Sequence, residues 1–375
     1  MKEYANLNTI LDLFESEISK NVKNKHKVYM FEKNKFQNIN HIINVLQSGN
    51  YNGGKYNIFL IKEPKHRIVM ALDISDKIIN HFIARYVLEK KLTKYLDPRN
   101  IATRKNMGTD CGIKMLKKYL ELNKKYGEFY IAKLDISKYF YSIDHEVLKE
   151  LVRNKLDEDE YKFLCLIIDS TNREYINLKI QDIKDKYLDK HPKFEKEMNA
   201  IPFYNYGKGL PIGNMTSQFL SIFYLYELDH YIVHNLHIKH YIRYMDDFVL
   251  IHHDKKVLEN AVKEIEFILS NKYKLKLNSK KTKIVSASEG FSFLGYTYKV
   301  INKKTIVKLR KESYERIKKR IKEVYYMYES GFIDFNSAFC SVTSYWYNRK
   351  YGSQMKVRRV INRYWFDRVH NGIQK

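Results

Sequence analysis

The chain has 375 residues, of which 44% are hydrophobic and 30% are charged, so it is long enough for several packed subdomains and is not a disordered segment. Its 68 Lys and Arg residues outnumber 43 Asp and Glu residues, and the resulting net charge of +25 favours a polyanionic partner, either a nucleic acid or an anionic membrane surface. No apolar run is long enough to span a bilayer, and the three widely spaced cysteines show no disulfide or zinc-ligand pattern, so we expect a cytoplasmic protein without a membrane segment.

The N-terminal region is predicted to be helical and to contain one β-hairpin. Residues 1–50 carry apolar side chains at helical spacing. Residues 56–72 are rich in β-forming residues on both sides of a turn at 63–65, which indicates a hairpin. Residues 73–95 have the pattern of an amphipathic helix. We therefore expect residues 1–128 to form one mainly helical unit.

The pattern changes at residues 129–136, a short apolar run that contains Asp135 near its end and is typical of a buried strand. Residues 172–206 are polar and Lys-rich, which predicts an insertion or a long loop. The remaining predicted elements are helices at 145–156, 160–170, 215–235 and 255–272, a hairpin at 238–252, and strands at 283–287 and 291–298. This order predicts an α+β fold in which acidic residues lie at strand ends.

The C-terminal part of the chain carries much of the positive charge. Residues 299–375 contain 19 basic and 6 acidic residues, interleaved with Tyr, Trp and Phe. This combination suits contacts to phosphates and stacking against bases or sugars. Residues 301–375 are therefore predicted to be a basic helical segment that forms one wall of a cleft.

Three acids are the candidates for chemistry. An Asp-Asp pair such as Asp246 and Asp247 is, on its own, typical of a solvated turn. Here the pair lies between two β-rich runs, and Asp135 closes another apolar run about one hundred residues earlier. Acids in apolar surroundings need a neutralising partner, and carboxylates from adjacent strands can hold two Mg²⁺ ions for phosphoryl transfer.

Four segments resemble boxes of reverse transcriptases and occur in the expected order. Residues 65–67 (KHR) are similar to the basic pair of the fingers, and residues 134–140 (LDISKYF) are similar to the first metal-binding box. Residues 244–247 (YMDD) resemble the active-site box, and residues 293–296 (FLGY) resemble the primer-grip turn.

The resemblance implies an RNA-directed DNA polymerase with a right-hand architecture of fingers, palm and thumb. The implied fingers are residues 1–128, the palm is residues 129–300 with the insertion around 172–206, and the helical thumb is residues 301–375. The catalytic sheet of the palm is expected to be antiparallel. The implied substrates and partners are an RNA template, an RNA/DNA duplex and dNTPs.

The resemblance also assigns roles to single residues. Catalytic residues are Asp135, Asp246 and Asp247, which together with Ile136 would bind two Mg²⁺ ions. Nucleotide-binding residues are Lys65, Arg67, Phe140, Ile212, Gln218 and Tyr244. Phe140 occupies the place of the aromatic gate that excludes ribonucleotides, and Lys65 and Arg67 occupy the place of the triphosphate ligands. Primer-grip residues are Phe293, Leu294, Gly295 and Tyr296.

A proton donor for the departing pyrophosphate is expected among three lysines, and the sequence does not decide between them. They are Lys280, Lys281 and Lys283, which precede or begin a predicted strand.

A seven-residue segment makes the resemblance more specific, because it is similar to one class of reverse transcriptases. Residues 212–218 (IGNMTSQ) match the Ile-Gly-x-x-x-Ser-Gln signature of reverse transcriptases from diversity-generating retroelements, whereas most other reverse transcriptases carry Gln at the position of Ile212. A branched apolar side chain cannot hydrogen-bond to the nascent base pair as Gln can. The resemblance therefore implies error-prone copying of a template-repeat RNA, with misincorporation opposite template adenines and a small basic accessory protein as partner.

Two other interpretations remain open. A bacterial defence-associated reverse transcriptase would share the palm boxes and copy a dedicated noncoding RNA, and the length of the 172–206 insertion favours it. An inactive palm that serves as an RNA-binding scaffold is the third possibility, although the three acids are intact. A bacterial or phage origin is implied by the first two interpretations.

Overall fold

The structure is a computed structural model that describes residues 1–347 and 351–366. The elements before the central sheet are, in order, α1 (Leu7–Leu13), α2 (Lys25–Lys33), α3 (Lys35–Ser48), β1 (Tyr56–Ile61), β2 (Arg67–Leu72), α4 (Ile74–Phe82), α5 (Lys90–Leu92) and α6 (Thr109–Asn123). Turns of π-helix at Phe14–Ile18 and Ile83–Glu89 continue α1 and join α4 to α5. The predicted helical start, hairpin and amphipathic helix are confirmed, and α6 is an additional helix that the sequence pattern did not predict.

The central region contains one sheet and eight helices. Its elements are β3 (Tyr130–Asp135), α7 (Tyr139–Ser142), α8 (His145–Arg153), α9 (Glu158–Ile168), α10 (Glu174–Lys190), α11 (Glu195–Ala200), α12 (Met215–Phe223), α13 (Tyr226–His234), β4 (His240–Tyr244), β5 (Asp247–His252), α14 (Lys255–Asn271) and β6 (Lys283–Ser286). The alternative of a long loop at 172–206 was wrong, because α10 and α11 fill most of that segment. The predicted helix at 215–235 is divided in two, and at the break the buried Tyr224 hydroxyl donates to the Tyr273 carbonyl at 2.8 Å.

The central sheet has the strand order β4-β5-β3-β6, with every neighbouring pair antiparallel. Both faces are covered. Leu134 and Phe248 join a core formed with the N-terminal helices and α14, whereas Ile131 and Val249 join a second core. Because side chains alternate along a strand, Asp135 and the other odd-numbered residues of β3 and β5 face the second core. The predicted α+β class with an antiparallel sheet is confirmed.

The C-terminal part starts with a small sheet and continues in helices. Its elements are β7 (Phe291–Phe293), β8 (Tyr296–Ile301), β9 (Lys304–Leu309), α15 (Lys311–Glu329), α16 (Phe335–Tyr347), α17 (Gln354–Ile361) and a π-helical turn at Asn362–Phe366. The predicted strand at 291–298 is thus divided by a turn, and β9 lies where only helix was expected. Residues 348–350 and 367–375 of the predicted thumb lie outside the described residues. Within the described ranges, no helix combines the length and apolar character needed to cross a membrane.

A third core joins the β1–β2 hairpin to the insertion. Ile58 and Met70 of the hairpin pack with Ile176 and Ile180 of α10 and with Met198 of α11. The insertion therefore packs on one face of the hairpin and shares a core with it.

Candidate active site

The three predicted catalytic acids come together at one edge of the central sheet. Asp135, the last residue of β3, lies directly opposite Asp247, the first residue of β5. Met245 and Asp246 form the two-residue turn between β4 and β5, and Met245 has a left-handed φ of 57°. The backbone N–H of Ile136 donates to the Asp246 carbonyl at 3.2 Å. Residues that are more than one hundred positions apart in the sequence are therefore neighbours in the fold.

Lysine side chains neutralise two of these carboxylates. Lys281 Nζ lies 3.0 and 2.8 Å from the two carboxylate oxygens of Asp135, and Lys133 Nζ forms an ion pair with Asp247. Burial lowers the pKa of Lys133 to about 7, although the charges of Asp135 and Asp246 oppose this shift. Burial also raises the pKa of Asp246, and the negative charge of Asp135 raises it further. The acids thus form a crowded negative cluster in which an added cation is favoured.

The contacts of Lys281 distinguish it from the other two candidate proton donors. Lys280 is exposed in the turn before β6, and Lys283 is exposed on β6 opposite Lys133. Lys281 is the one of the three whose ammonium group contacts a predicted catalytic acid.

The donor set fits Mg²⁺ in its chemistry. Mg²⁺ takes oxygen ligands, and the raised pKa of Asp246 shows surroundings that disfavour a carboxylate charge without a nearby cation. Ile136 has a buried side chain, so only its backbone carbonyl is suited to join the ligands. Within the described residues, no group of three or more acidic, His or Cys side chains already converges in metal-ligand geometry. Metal binding therefore requires the carboxylates held by Lys133 and Lys281 to reorient.

A fully buried ion pair supports the acidic turn from behind. Arg243 donates from Nε and Nη2 to the carboxylate of Asp229 at 2.6 and 2.5 Å, and both side chains are fully buried. Its Nη1 also donates to the Met245 carbonyl at 3.1 Å. The next residue, Tyr244, is half-buried between the two cores. The guanidinium group thus ties the catalytic turn to α13.

The two predicted triphosphate ligands flank a side chain that is anchored to the insertion. Lys65 is exposed in the hairpin turn, and Arg67 is exposed at the start of β2. Between them, His66 Nε2 lies 3.0 Å from the Tyr187 hydroxyl, and His66 Nδ1 contacts the Glu197 carboxylate. The anchored His66 thus fixes the chain between Lys65 and Arg67 against the insertion, while both flanking side chains are exposed.

The predicted aromatic gate lies on a short helix within electrostatic range of the fingers. Phe140 of α7 is half-buried, and its carbonyl accepts a hydrogen bond from the Leu210 N–H at 2.7 Å. Burial raises the pKa of the adjacent Tyr141 to about 12, and the positive charge of Arg67 opposes that shift. Arg67 therefore acts electrostatically on the helix that carries Phe140, whereas the structure shows no contact between Lys65 or Arg67 and the acids within the described residues.

Ile212 lies against the fingers hairpin. Its carbonyl accepts a hydrogen bond from the Met70 N–H at 2.9 Å. The following residue, Gly213, has a φ of 124°, and a Cβ there would lie 3.0 Å from Val69 Cγ1 and 3.1 Å from the Met70 carbonyl oxygen. Glycine thus permits the close approach of this loop to β2.

The helix that follows connects this loop to the acids. Gln218 is half-buried in the first turns of α12. Further along, Ser221 Oγ donates to Met245 Sδ at 3.4 Å, and the Ser221 carbonyl accepts from the Tyr139 hydroxyl at 2.5 Å. The segment that carries Ile212 and Gln218 therefore spans the distance between the fingers hairpin and the catalytic turn.

The predicted primer-grip residues form a tight hairpin beside the acids. Leu294 and Gly295 are the two central residues of the turn between β7 and β8, with φ values of 47° and 83°. Phe293 and Tyr296 pair across this hairpin, and Lys133 Nζ lies 5.2 Å from the centre of the Phe293 ring. Lys133 therefore contacts both the primer-grip turn and Asp247.

Several residues of the site were not predicted from the sequence. They are Lys133, His66, Asp229 and Arg243. A signal was present for two of them, because Lys133 and Arg243 are basic residues inside otherwise apolar strands, and a buried charge requires a partner.

Comparisons with known proteins identify the family to which the chain belongs. The sequence profile of the family described as "Reverse transcriptase (RNA-dependent DNA polymerase)" matches residues 61–298, which is more than half of the chain. Protein YkfC of Escherichia coli (strain K12) is 25% identical over 195 residues, which cover 43% of this chain and only 45% of that protein. The structure of apo telomerase from Candida tropicalis, truncated from the C-terminal domain, aligns with a TM-score of 0.46 and 15% identity over 69% of this chain and 55% of that chain. On the strength of the profile match, this chain belongs to the reverse transcriptase family.

Proposed function

We propose that the chain is a Mg²⁺-dependent RNA-directed DNA polymerase that extends a primer on an RNA template. The observation that carries this proposal is the register of Asp135 opposite Asp247, with Asp246 in the adjoining turn. Two Mg²⁺ ions held by these acids would activate the primer 3′-hydroxyl and stabilise the leaving pyrophosphate. The family match supports the reaction class.

The surrounding residues would bind and select the nucleotide. Lys65 and Arg67 neutralise triphosphate oxygens, and the planar guanidinium of Arg67 can bind two of them at once. The ring of Phe140 would clash with a 2′-hydroxyl and so select deoxynucleotides. The hairpin at Leu294 and Gly295 would position the primer end close to the acids.

Lys281 is our candidate for the proton donor. Its ammonium group contacts Asp135, so it already lies within the acid cluster. The Lys281 ammonium group would donate a proton to an oxygen of the departing pyrophosphate, and a cation held by Asp135 would free it for this role.

Primer extension with Mg²⁺ and dNTPs on an RNA template tests the proposal. We expect incorporation by the wild-type chain and its loss in Asp135→Asn and Asp246→Asn. Asp189→Asn, which changes an exposed acid on α10, is the matched control and should remain active. If the wild-type chain incorporated no dNTP on any template while still binding RNA, the inactive-scaffold interpretation would replace this one.

Within this reaction class we propose error-prone copying of a template-repeat RNA into mutagenised cDNA, as in diversity-generating retroelements, together with a small basic accessory protein. Support comes from the signature at residues 212–218 and from the position of Ile212, an apolar residue whose backbone carbonyl bonds to Met70 of the β1–β2 hairpin. An apolar residue there offers no hydrogen bond with which to test base-pair geometry.

The alternative is a defence-associated reverse transcriptase that copies its own noncoding RNA. The observation that favours it is the insertion at 172–206, which forms two α-helices and shares a core with the β1–β2 hairpin. Sequencing the RNA that copurifies with the protein separates the two. A template repeat with a matching variable repeat supports the first function, and a structured RNA without such a repeat supports the second.

A further inference from the structure

A recess lined by lysines lies beside α7. It is a cavity of about 280 Å³, and its main lining residues are Lys138, Lys208, Lys274, Lys276, Tyr141 and Asn205. No acidic side chain contributes to the described lining of this cavity. We refer to it as the lysine pocket, defined by its four lysines.

The charges of the lysine pocket are largely uncompensated. Lys274 Nζ pairs with Asp144 Oδ2 at 3.0 Å. Lys208 also interacts electrostatically with the Asp144 carboxylate, whereas no carboxylate of the described residues forms an ion pair with Lys138 or Lys276. The like charges of these lysines repel one another. A bound anion would be attracted to each of them and would offset this repulsion. The pocket is therefore suited to a ligand with more than one negative charge.

The walls of the lysine pocket are held in place by the backbone. The Ser137 N–H donates to the Lys276 carbonyl at 2.9 Å, and the Lys208 N–H donates to the Asn205 carbonyl at 3.0 Å. Lys138 and Lys274 have left-handed φ values of 50° and 54°, which are unfavourable for residues with a side chain. Two lysines thus hold unusual conformations at the same recess, and its shape exists before a ligand binds.

The size of the cavity limits the ligand. Pockets for drug-sized molecules have volumes of about 300–1,000 Å³, and the lysine pocket is slightly below this range. A group of one or two phosphates fits these dimensions better than a whole nucleotide with its base and sugar. Lysine ammonium groups bind phosphate oxygens as point charges.

The position of the pocket relates it to the proposed reaction. Ser137 and Lys138 follow Asp135 directly in the loop after β3, and Tyr141 in the wall is within electrostatic range of Arg67. The pocket therefore adjoins the loop that follows Asp135, and the charge of Arg67 acts on Tyr141 in one of its walls. We propose that it binds pyrophosphate, the product of each polymerisation step, at a site separate from Lys65 and Arg67. This inference rests on the proposed polymerase function.

Calorimetric titration with inorganic pyrophosphate in the presence of EDTA tests the site without metal. We expect wild-type protein to bind, and the double variant Lys208→Ala/Lys276→Ala to bind about tenfold more weakly, because two of the four cations are lost while solvent screens their contacts with the anion. The replacement Lys208→Arg/Lys276→Arg should restore most of the affinity. The control variant Lys190→Ala/Lys196→Ala removes two exposed lysines of the insertion outside the pocket and should leave the affinity for pyrophosphate unchanged.

A second titration distinguishes binding of pyrophosphate from binding of the phosphates of a nucleic-acid strand. A single-stranded RNA oligonucleotide is titrated into the same variants. The proposal is overturned if pyrophosphate does not bind, if the pocket variant binds it as well as the wild type, or if only RNA affinity falls. In active enzyme, the pyrophosphate concentration that halves extension should rise about tenfold in the pocket variant. Lysine-dependent pyrophosphate binding by a protein that shows no extension would refute the polymerase function and leave the pocket standing.

Discussion

The buried Arg243 is bonded to the β4–β5 turn that carries the predicted catalytic residue Asp246. Its guanidinium group is paired with Asp229 and bonded to the Met245 carbonyl in a region that water does not reach. Removing one partner of a buried pair costs about 3–5 kcal/mol because an uncompensated charge remains, whereas replacing both partners by apolar residues is often neutral. The contribution of Arg243 to folding stability can therefore be measured separately from its contribution to the position of the β4–β5 turn.

We predict that Arg243→Met lowers the free energy of unfolding by about 3–5 kcal/mol, and that Arg243→Met/Asp229→Leu recovers most of that loss. The double variant should still extend primers poorly and need more Mg²⁺ for half-maximal rate, because the turn that carries Asp246 has lost its donor. Urea denaturation and single-turnover extension over a Mg²⁺ series measure the two effects. A stable double variant with wild-type rate and Mg²⁺ requirement would limit Arg243 to a structural role.

The side chain at position 212 controls fidelity in our proposal. We predict that Ile212→Gln reduces misincorporation opposite template adenines, because Gln can hydrogen-bond near the nascent base pair. Ile212→Val keeps the branched apolar character and should preserve the error rate. Sequencing of cDNA made by each purified variant, with its RNA and protein partners present, gives the error spectra. Equal spectra for the Gln and Val variants would exclude this role.

The acids could be predicted from the sequence, whereas their partners could not. Asp135 closes an apolar run and Asp246 interrupts a hairpin pattern, so local sequence indicates both. The contact between Asp135 and Lys281 joins residues 146 positions apart, and exposed lysines are too common in this chain for one to stand out. Long-range ion pairs depend on the packing of the whole sheet, which local periodicity does not encode.

Among the larger elements, the insertion at 172–206 supports the β1–β2 hairpin, which carries the predicted triphosphate ligands. The Arg173 guanidinium group donates to the carbonyls of Asn52 and Gly54, which lie just before β1. Within the insertion, the buried Lys184 donates to the Ile201 carbonyl at 2.7 Å and so ties α10 to the segment after α11. The insertion is thus a closed unit that holds the hairpin from its outer face.

We predict that loosening this support weakens dNTP binding more than it slows chemistry. Tyr187→Phe removes the hydroxyl that bonds to His66, a contact worth about 1 kcal/mol, which corresponds to a rise of about fivefold in KM for dNTP with kcat little changed. Lys196→Ala, an exposed change on α11, is the control. Steady-state extension kinetics provide both constants, and a fall confined to kcat would contradict a positioning role for the insertion.

Element boundaries were predicted where periodicity is strong and missed where a turn has no compositional signal. Leu294 adopts a left-handed conformation without being glycine, so the sequence pattern runs through the turn between β7 and β8. The insertion looked like a loop because it is polar overall. Its buried positions, Ile176 and Ile180, are four residues apart and mark one face of a helix that packs on a hairpin distant in sequence.

At the scale of the whole molecule, α15 of the predicted thumb reaches the β1–β2 hairpin of the predicted fingers, and we refer to the side of α15 that meets the hairpin as its cleft side. Arg320 of α15 forms an ion pair with Glu63 in the turn of the β1–β2 hairpin. Arg316 lies one turn earlier on the same side of α15, because residues four apart share a helix face. Lys318 is two residues from both and points away from the cleft. The basic charge of α15 is therefore divided between a cleft side and an outer side.

We predict that only the cleft side contributes to duplex binding. Each protein cation that neutralises a phosphate of duplex DNA adds about 0.9 to the slope of log affinity against log salt. Arg316→Ala should therefore reduce this slope for an RNA/DNA duplex by about one. Lys318 is also an exposed cation but lies on the outer side, so Lys318→Ala should leave the slope unchanged. Fluorescence anisotropy over a NaCl series measures both. Equal losses in the two variants would mean that α15 attracts nucleic acid only through its overall charge, and a slope near zero for the wild type would show that the thumb does not track the duplex.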